Sequence, residues 1–308
     1  MSSFNTVSNK TIIRVVKAID FVEENLGKKL SLEEVAKAAY FSPYHFHRLF
    51  KIVTKETLNE FVSRKRLEKS AGYLLHQKEK TITEISELVG FTSLSSFSRG
   101  FKKFYGVSPD EFKKKSRDKF SKICKTKSKD GQVEVRFEQY IYNINNALNW
   151  IKMNAINTEA KFMPVMELAY ISHQGKMNLI GNAYDELIKW ATPRGVMSQR
   201  DLKMLTIYHD SPKITDPNKI RMSASVVLNK KVTTDGQVNL KTLPETKCIV
   251  SRFEVTSDEF QQAWESSFVW MSEQGYKRSE RDPYEIYYNN GQEHSEGKWI
   301  VDLCIPIE

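Results

Sequence analysis

Two copies of one local pattern, about fifty residues apart, limit what this chain can fold into. The first reads SLEEVAKAAYFSPYHFHRLFK (31–51) and the second TITEISELVGFTSLSSFSRGFKK (81–103). Each opens with a hydroxyl residue followed three places later by Glu (Ser31/Glu34, Thr81/Glu84). The hydroxyl can accept from a free backbone N–H of the first turn while the Glu reaches back to the cap, so each marks a helix start. A short apolar helix follows, then an aromatic turn (Tyr40-Phe41-Ser42, Gly90-Phe91-Thr92). A second helix then carries apolar residues at helical spacing: Phe46, Leu49, Phe50 and Val53 in one copy, Leu94, Phe97, Phe101 and Phe104 in the other. This is the grammar of a helix-turn-helix, written twice.

The faces left over predict the chemistry. With the apolar stripe turned inward, the first copy should present Tyr44, His45, His47, Arg48 and Lys51, and the second Ser95, Ser96, Arg99, Lys102 and Lys103. Neither set holds a carboxylate, so either helix could enter a major groove of double-stranded DNA. The second set is short at its front, which predicts weaker base reading there. A connecting helix over residues 58–75 would be roughly 27 Å long at ~1.5 Å per residue, against ~34 Å between successive major-groove faces. One chain could then span an asymmetric site of about 20 base pairs.

Charge follows the same division. Residues 1–130 hold 27 Lys and Arg against 15 Asp and Glu, and the remainder holds 20 against 23. The net +9 therefore belongs to the first part. A lysine-rich run over residues 113–129 reads either as a solvated tether or as a phosphate contact. No segment approaches the ~20 apolar residues of a membrane span, and the N-terminus has no secretory apolar stretch, so the expected location is the cytoplasm. Cys124, Cys248 and Cys304 make neither a disulfide framework nor a metal spacing. His45 and His47 lie two apart on a helix and make a poor metal pair. No cofactor, metal site or catalytic nucleophile is expected.

Residues 10–114 resemble the DNA-binding domain of the AraC/XylS family of bacterial transcription regulators, most closely over ITEISELVGFTSLSSFSRGFKKFYGVSPDEF (82–112). The resemblance implies two helix-turn-helix units joined by a long helix. It places Tyr44, His47 and Arg48 of the first unit, and Leu94, Ser95, Ser96 and Arg99 of the second, toward the groove, with Leu94 departing from the polar residue that relatives often carry. It also implies contact with RNA polymerase.

Beyond residue 118 the texture changes. Residues 140–156 read as a linker containing some helix. From 162 onward the order strand, helix, strand, strand occurs twice, which predicts one sheet with both helices on one face and a ligand held on the other face or at the seam. The segments LAYISHQG, AYDELIKWA and AWESSFVWMSEQGYKRSERDPYEIYYN resemble the GyrI-like (Rob-type) effector-binding domain. That resemblance implies a pocket carboxylate at Glu285. Strand alternation puts Glu285 and Tyr287 on one face and Tyr284, Ile286 and Tyr288 on the other. A carboxylate among aromatic rings needs a partner, and a cationic effector would provide one. Candidate walls are Tyr170, Tyr208, Trp264 and Phe268, with Trp190 and Trp270 closing helix stripes.

The expected architecture is multidomain α and α+β: an all-α tandem helix-turn-helix domain over 8–117, a linker over 118–161, and a duplicated strand-helix-strand-strand domain over 162–308. The expected function is a sequence-specific DNA-binding regulator sensing a small, cationic or aromatic effector. The alternative makes the C-terminal domain a small-molecule hydrolase, using Glu285 with Tyr287 or Tyr170, or a drug-sequestering module.

Overall fold

The structure, a computed structural model, describes residues 10–77, 79–114, 133–211 and 215–308, with side chains described from residue 139 in the third segment. Most of the lysine-rich run and Cys124 lie outside the described residues. Residues 11–144 form one compact unit and residues 145–308 belong to a second.

In the first unit, α1 (Lys10–Glu24) precedes α2 (Leu32–Ala38) and α3 (Pro43–Thr54); α4 (Leu58–His76) leads to α5 (Ile82–Leu88), α6 (Leu94–Tyr105) and α7 (Pro109–Lys114). Both expected capping boxes form, at Ser31/Glu34 and Thr81/Glu84, and a third at Thr57/Glu60 starts α4. Most of the apolar stripes become core: Phe97, Phe101, Tyr105 and Phe112 pack with Leu67, Ala71 and Leu74 of α4, Phe104 is partly buried against them, and Leu94, expected in the stripe, is instead 42% exposed because it stands in the first turn of its helix. α4 also buries charge. Arg64 donates to both oxygens of Glu56 and to Oε1 of Glu68 at 2.8 Å, and Lys65 meets Glu23 at 2.8 Å. Pairing is what makes those burials tolerable.

α8 (Val133–Asn154) runs directly into β1 (Ala155–Met163), so the sheet begins seven residues before the expected boundary. The other strands are β2 (Met166–Gln174), β3 (Met204–Tyr208), β4 (Arg221–Leu228), β5 (Asn239–Leu243), β6 (Thr246–Val255), β7 (Tyr284–Tyr287) and β8 (Trp299–Pro306). Helices α9 (Gly181–Ala191) and α10 (Phe260–Glu273) each follow the first strand of a repeat. All pairings are antiparallel, in the order β1-β6-β8-β7-β3-β4-β2-β5. β1 sits on one edge, yet only Pro164 and Val165 separate it from β2 near the other. Strands lie ~4.8 Å apart, so the sheet must curl strongly for so short a link to close. Its helix-free face is filled by Met163, Met166, Leu168, Leu205, Ile207, Tyr284 and Ile286. That face is core, which leaves the helix face as the place for a site.

Candidate functional site

The two recognition helices differ in exposure. On α6, Leu94, Ser95, Arg99, Lys102 and Lys103 are exposed and Ser96 is half-buried, while Phe97 and Phe101 are buried. The short serines are committed to the helix start: Ser93 Oγ accepts from the backbone N–H of Ser96, and Ser96 Oγ donates to the carbonyl of Ser93 at 2.8 Å. Arg99 Nε donates to the carbonyl of Ser95 at 3.3 Å. α6 thus exposes three positive groups, Arg99, Lys102 and Lys103, behind a front of Leu94, Ser95 and Ser96.

α3 departs from its expected exposure. Tyr44 is half-buried and Lys51 exposed, but His45, His47 and Arg48 are only 3, 8 and 8% exposed. The helix was expected to have one core face and one solvent face. One long-range tie reaches this helix: α8 buries Tyr140, Asn143 and Ile144 at helical spacing, and Asn143 Nδ2 donates to the Val53 carbonyl at 2.8 Å. His45 packs its ring edge-on to Phe41, 5.2 Å between centroids, and the Arg48 guanidinium lies 5.2 Å from the Tyr44 ring. In this conformation His45, His47 and Arg48 do not form an open groove-facing surface.

In the second unit, Glu285 on β7 lies directly opposite Thr206 on β3. Aligning Ile207-Tyr208-His209 with Ile286-Tyr287-Tyr288 and Ala183-Tyr184 with Ala263-Trp264 relates the two repeats residue by residue. Thr206 and Glu285 are then equivalent positions that face each other across the internal dyad. Their contacts are equivalent too. Tyr184 of α9 meets Thr206 Oγ1 at 2.8 Å, and Trp264 of α10 donates from Nε1 to Glu285 Oε1 at 2.6 Å. Tyr208 donates to Glu285 Oε2 at 2.9 Å; Tyr287 donates to the same oxygen, and its hydroxyl also meets Thr206 Oγ1 at 3.1 Å.

Both helices therefore cover one face, and Glu285 sits at the seam between them, 1% exposed. Phe268 stacks on Trp264, centroids 5.9 Å apart, and Tyr208 meets that indole edge-on at the same distance. Burial pushes the Tyr287 phenol well above its usual range, and the Glu285 carboxylate pushes it further; burial raises Tyr184 likewise. Both stay protonated donors at neutral pH. Trp190 is core, as its place on the helix stripe predicts, with Nε1 donating to Asp235 at 2.8 Å.

Tyr170 is the exception among the expected walls. It pairs with Ser225, which pairs with Leu205, so it lies on the curled, helix-free face opposite Glu285. Sheet parity thus removes Tyr170 from the seam and from any Glu–Tyr hydrolytic pair. Tyr184 and Thr206 take part instead. The repeat itself could have found them, since AYDELIKW and AWESSFVW align Tyr184 with Trp264.

Two family descriptions divide the chain as its folds do: "Helix-turn-helix domain" matches residues 35–115 and "GyrI-like small molecule binding domain" matches 157–308. The multiple antibiotic resistance protein MarA of Salmonella typhimurium is 30% identical over 105 residues, 34% of this chain and 82% of MarA. The chain belongs to the AraC family. The probable transcriptional regulator LumQ of Photobacterium leiognathi is 34% identical over 100 residues, 32% of this chain but only 40% of LumQ. The C-terminal domain of EcmrR, a solved structure, covers 49% of this chain and 97% of its own at 16% identity and TM-score 0.41. This AraC-family chain thus carries an AraC-type DNA-binding domain followed by a GyrI-like small-molecule binding domain. No described helix is long and apolar enough to cross a membrane.

Proposed function

We propose that the chain is a one-component transcription regulator: residues 11–114 bind DNA, and a small molecule bound at the seam between α9 and α10 adjusts that binding or the recruitment of RNA polymerase. The observation that carries the effector reading is Glu285, a carboxylate buried on the internal dyad beneath two helices and surrounded by Trp264, Tyr208 and Tyr287. Ring edges and N–H or O–H donors hold the carboxylate in place, and a cation arriving over the aromatic faces adds the charge complement. A cationic aromatic molecule is the effector this site suits best.

On the DNA side, Arg99, Lys102 and Lys103 of α6 are the exposed positive groups. Base reading by His47 and Arg48 requires that α3 first be uncovered. Calorimetric titration with matched cationic and neutral aromatics, followed by DNA affinity with and without the tightest binder, tests the whole proposal. Saturable binding that leaves DNA affinity and transcription in a reconstituted assay unchanged would refute the sensor reading.

A further inference from the structure

The first unit contains a crevice of about 470 Å³ between its two helix-turn-helix motifs. Its floor is α4, through Asn59, Ser63 and Arg66. One wall is the loop before α2 with Lys28 and Lys29, and the other is the Phe91-Thr92 turn, which runs straight into Ser93, the cap of α6. Hydrogen bonds join the floor of the crevice to one wall. Arg66 donates from Nε to the Leu26 carbonyl at 2.9 Å and from Nη2 to that of Lys28 at 2.7 Å, tying α4 to the loop. Gly90, at φ +87°, lets the turn of the second motif close over that guanidinium; a Cβ there would stand 2.5 Å from the Leu26 carbonyl.

The lining has donors without uses. Among the described residues Lys29, Asn59 and Ser63 make no side-chain hydrogen bond, Lys28 makes one to Asn25, and Arg66 bonds only carbonyls. Glu87 is the single acidic residue of the lining, against Lys28, Lys29 and Arg66. Positive charge, an amide and a hydroxyl converging on one concavity suit an anionic oxygen group. A helix inserted in a major groove ~12 Å wide has backbone phosphates on both flanks, close to its N-terminal turn.

We infer that this crevice seats a backbone phosphate on the flank of the groove that α6 enters, bound by Lys28, Lys29, Asn59 and Ser63, with Arg66 as a positioning residue. The site fixes the register of the two motifs on the duplex without reading bases, and it rests on the reading that α6 faces DNA.

The test is binding of the full chain to a random-sequence duplex over a salt series, for wild type, Lys28→Ala/Lys29→Ala, Asn59→Ala/Ser63→Ala, and Arg99→Ala. Removing one lysine–phosphate pairing lowers the slope of log affinity against log salt by ~0.9, which is about fivefold in affinity near 0.15 M salt. The double lysine variant should flatten the slope by ~0.9–1.8, according to whether one or both ammonium groups neutralise phosphate. The Asn59/Ser63 variant should lower affinity severalfold with the slope unchanged. Arg99→Ala separates the two levels: if it weakens binding while both crevice variants bind as wild type, α6 faces DNA and the phosphate seat is wrong. If Arg99→Ala has no effect, the placement beside α6 fails, whatever the crevice variants do. Inorganic phosphate, at matched ionic strength, should not displace the duplex; displacement at submillimolar concentration would make this a free-anion site and overturn the proposal.

Discussion

At Glu285, one substitution separates charge from shape. Glu285→Gln keeps the side chain's size while removing its charge and one of its two acceptor oxygens. Cationic aromatics should bind more than tenfold more weakly, because a charge-assisted contact in a partly dry site contributes ~1.5–3 kcal/mol. Neutral analogues should change little, and the DNA affinity of the ligand-free protein should be retained. Calorimetry on matched pairs reads this directly; equal losses for cation and neutral would mean that Glu285 only braces the seam. At Arg99, Ala should weaken specific and random duplexes alike and lower the salt slope by ~1. A change in preferred bases beneath α6, measured by selection from a random pool, would contradict that.

Among the elements, helix starts and core stripes could be read because each is written locally. Ser31/Glu34 and Thr81/Glu84 name their own hydrogen bonds, and Phe46, Leu49, Phe97 and Phe101 are buried as their spacing requires. What escaped was non-local. β1 and β5 are edge strands that mix exposed and half-buried side chains, and their apolar residues do not recur at a period of two, so they carry no alternation to read. His47 and Arg48 are buried on α3, a helix that also takes a hydrogen bond at Val53 from Asn143, about ninety residues distant in sequence. Tyr170 leaves the seam because its face is set by the β2–β4 register, which no local pattern encodes.

The capping boxes make a testable acid limb. Hydrogen bonds from the Thr81 backbone and hydroxyl hold the Glu84 carboxyl below its ordinary range. Its folded pKa is depressed, so its contribution is present above the unfolded carboxylate value and is lost as pH falls through the folded one. Glu84→Gln should therefore flatten the loss of stability below about pH 4.3, measured by urea unfolding across pH. An unchanged acid limb would assign it to other carboxylates.

One cluster invites a wrong reading at this scale. His209 lies between Asp282, at 2.6 Å, and Ser223, at 2.8 Å, an arrangement that resembles a hydrolytic triad. The internal repeat identifies it differently. His209–Ser223 occupies the position that Tyr288–Asp302 occupies in the other half, where Tyr288 donates to Asp302 at 2.7 Å and Arg252 pairs with that carboxylate at 2.7 Å. Both are ties on the helix-free face, and Ser223 is buried. Ser223→Ala should cost about 1 kcal/mol and leave labelling by a fluorophosphonate probe at background in both proteins. Labelling that disappears in the variant would instead establish a nucleophile.

Across the whole molecule, each unit is a duplication whose copies kept their frame and diverged in a few side chains. Ser95-Ser96 in the second motif stands where the first has Tyr44-His45, and Thr206 faces Glu285 across the dyad of the sheet. If that dyad is physical, the charge should be portable from one half to the other. Thr206→Glu alone places two carboxylates on directly opposed residues in a buried seam, and should cost ~2–4 kcal/mol at neutral pH through repulsion and desolvation. Glu285→Thr alone leaves Trp264 Nε1 and the Tyr208 hydroxyl without their carboxylate, at ~1–3 kcal/mol. The double exchange restores a single carboxylate, now within reach of Tyr184 and Tyr287, the groups that already bond to Thr206. Its cost should fall below the sum of the single costs by at least ~2 kcal/mol, a coupling well outside the ~0.3–0.5 kcal/mol expected of independent sites. Urea unfolding of the four proteins measures that coupling. Additive costs would mean that the two halves share a fold but not a site, and the placement of the effector at their seam would lose its symmetry argument.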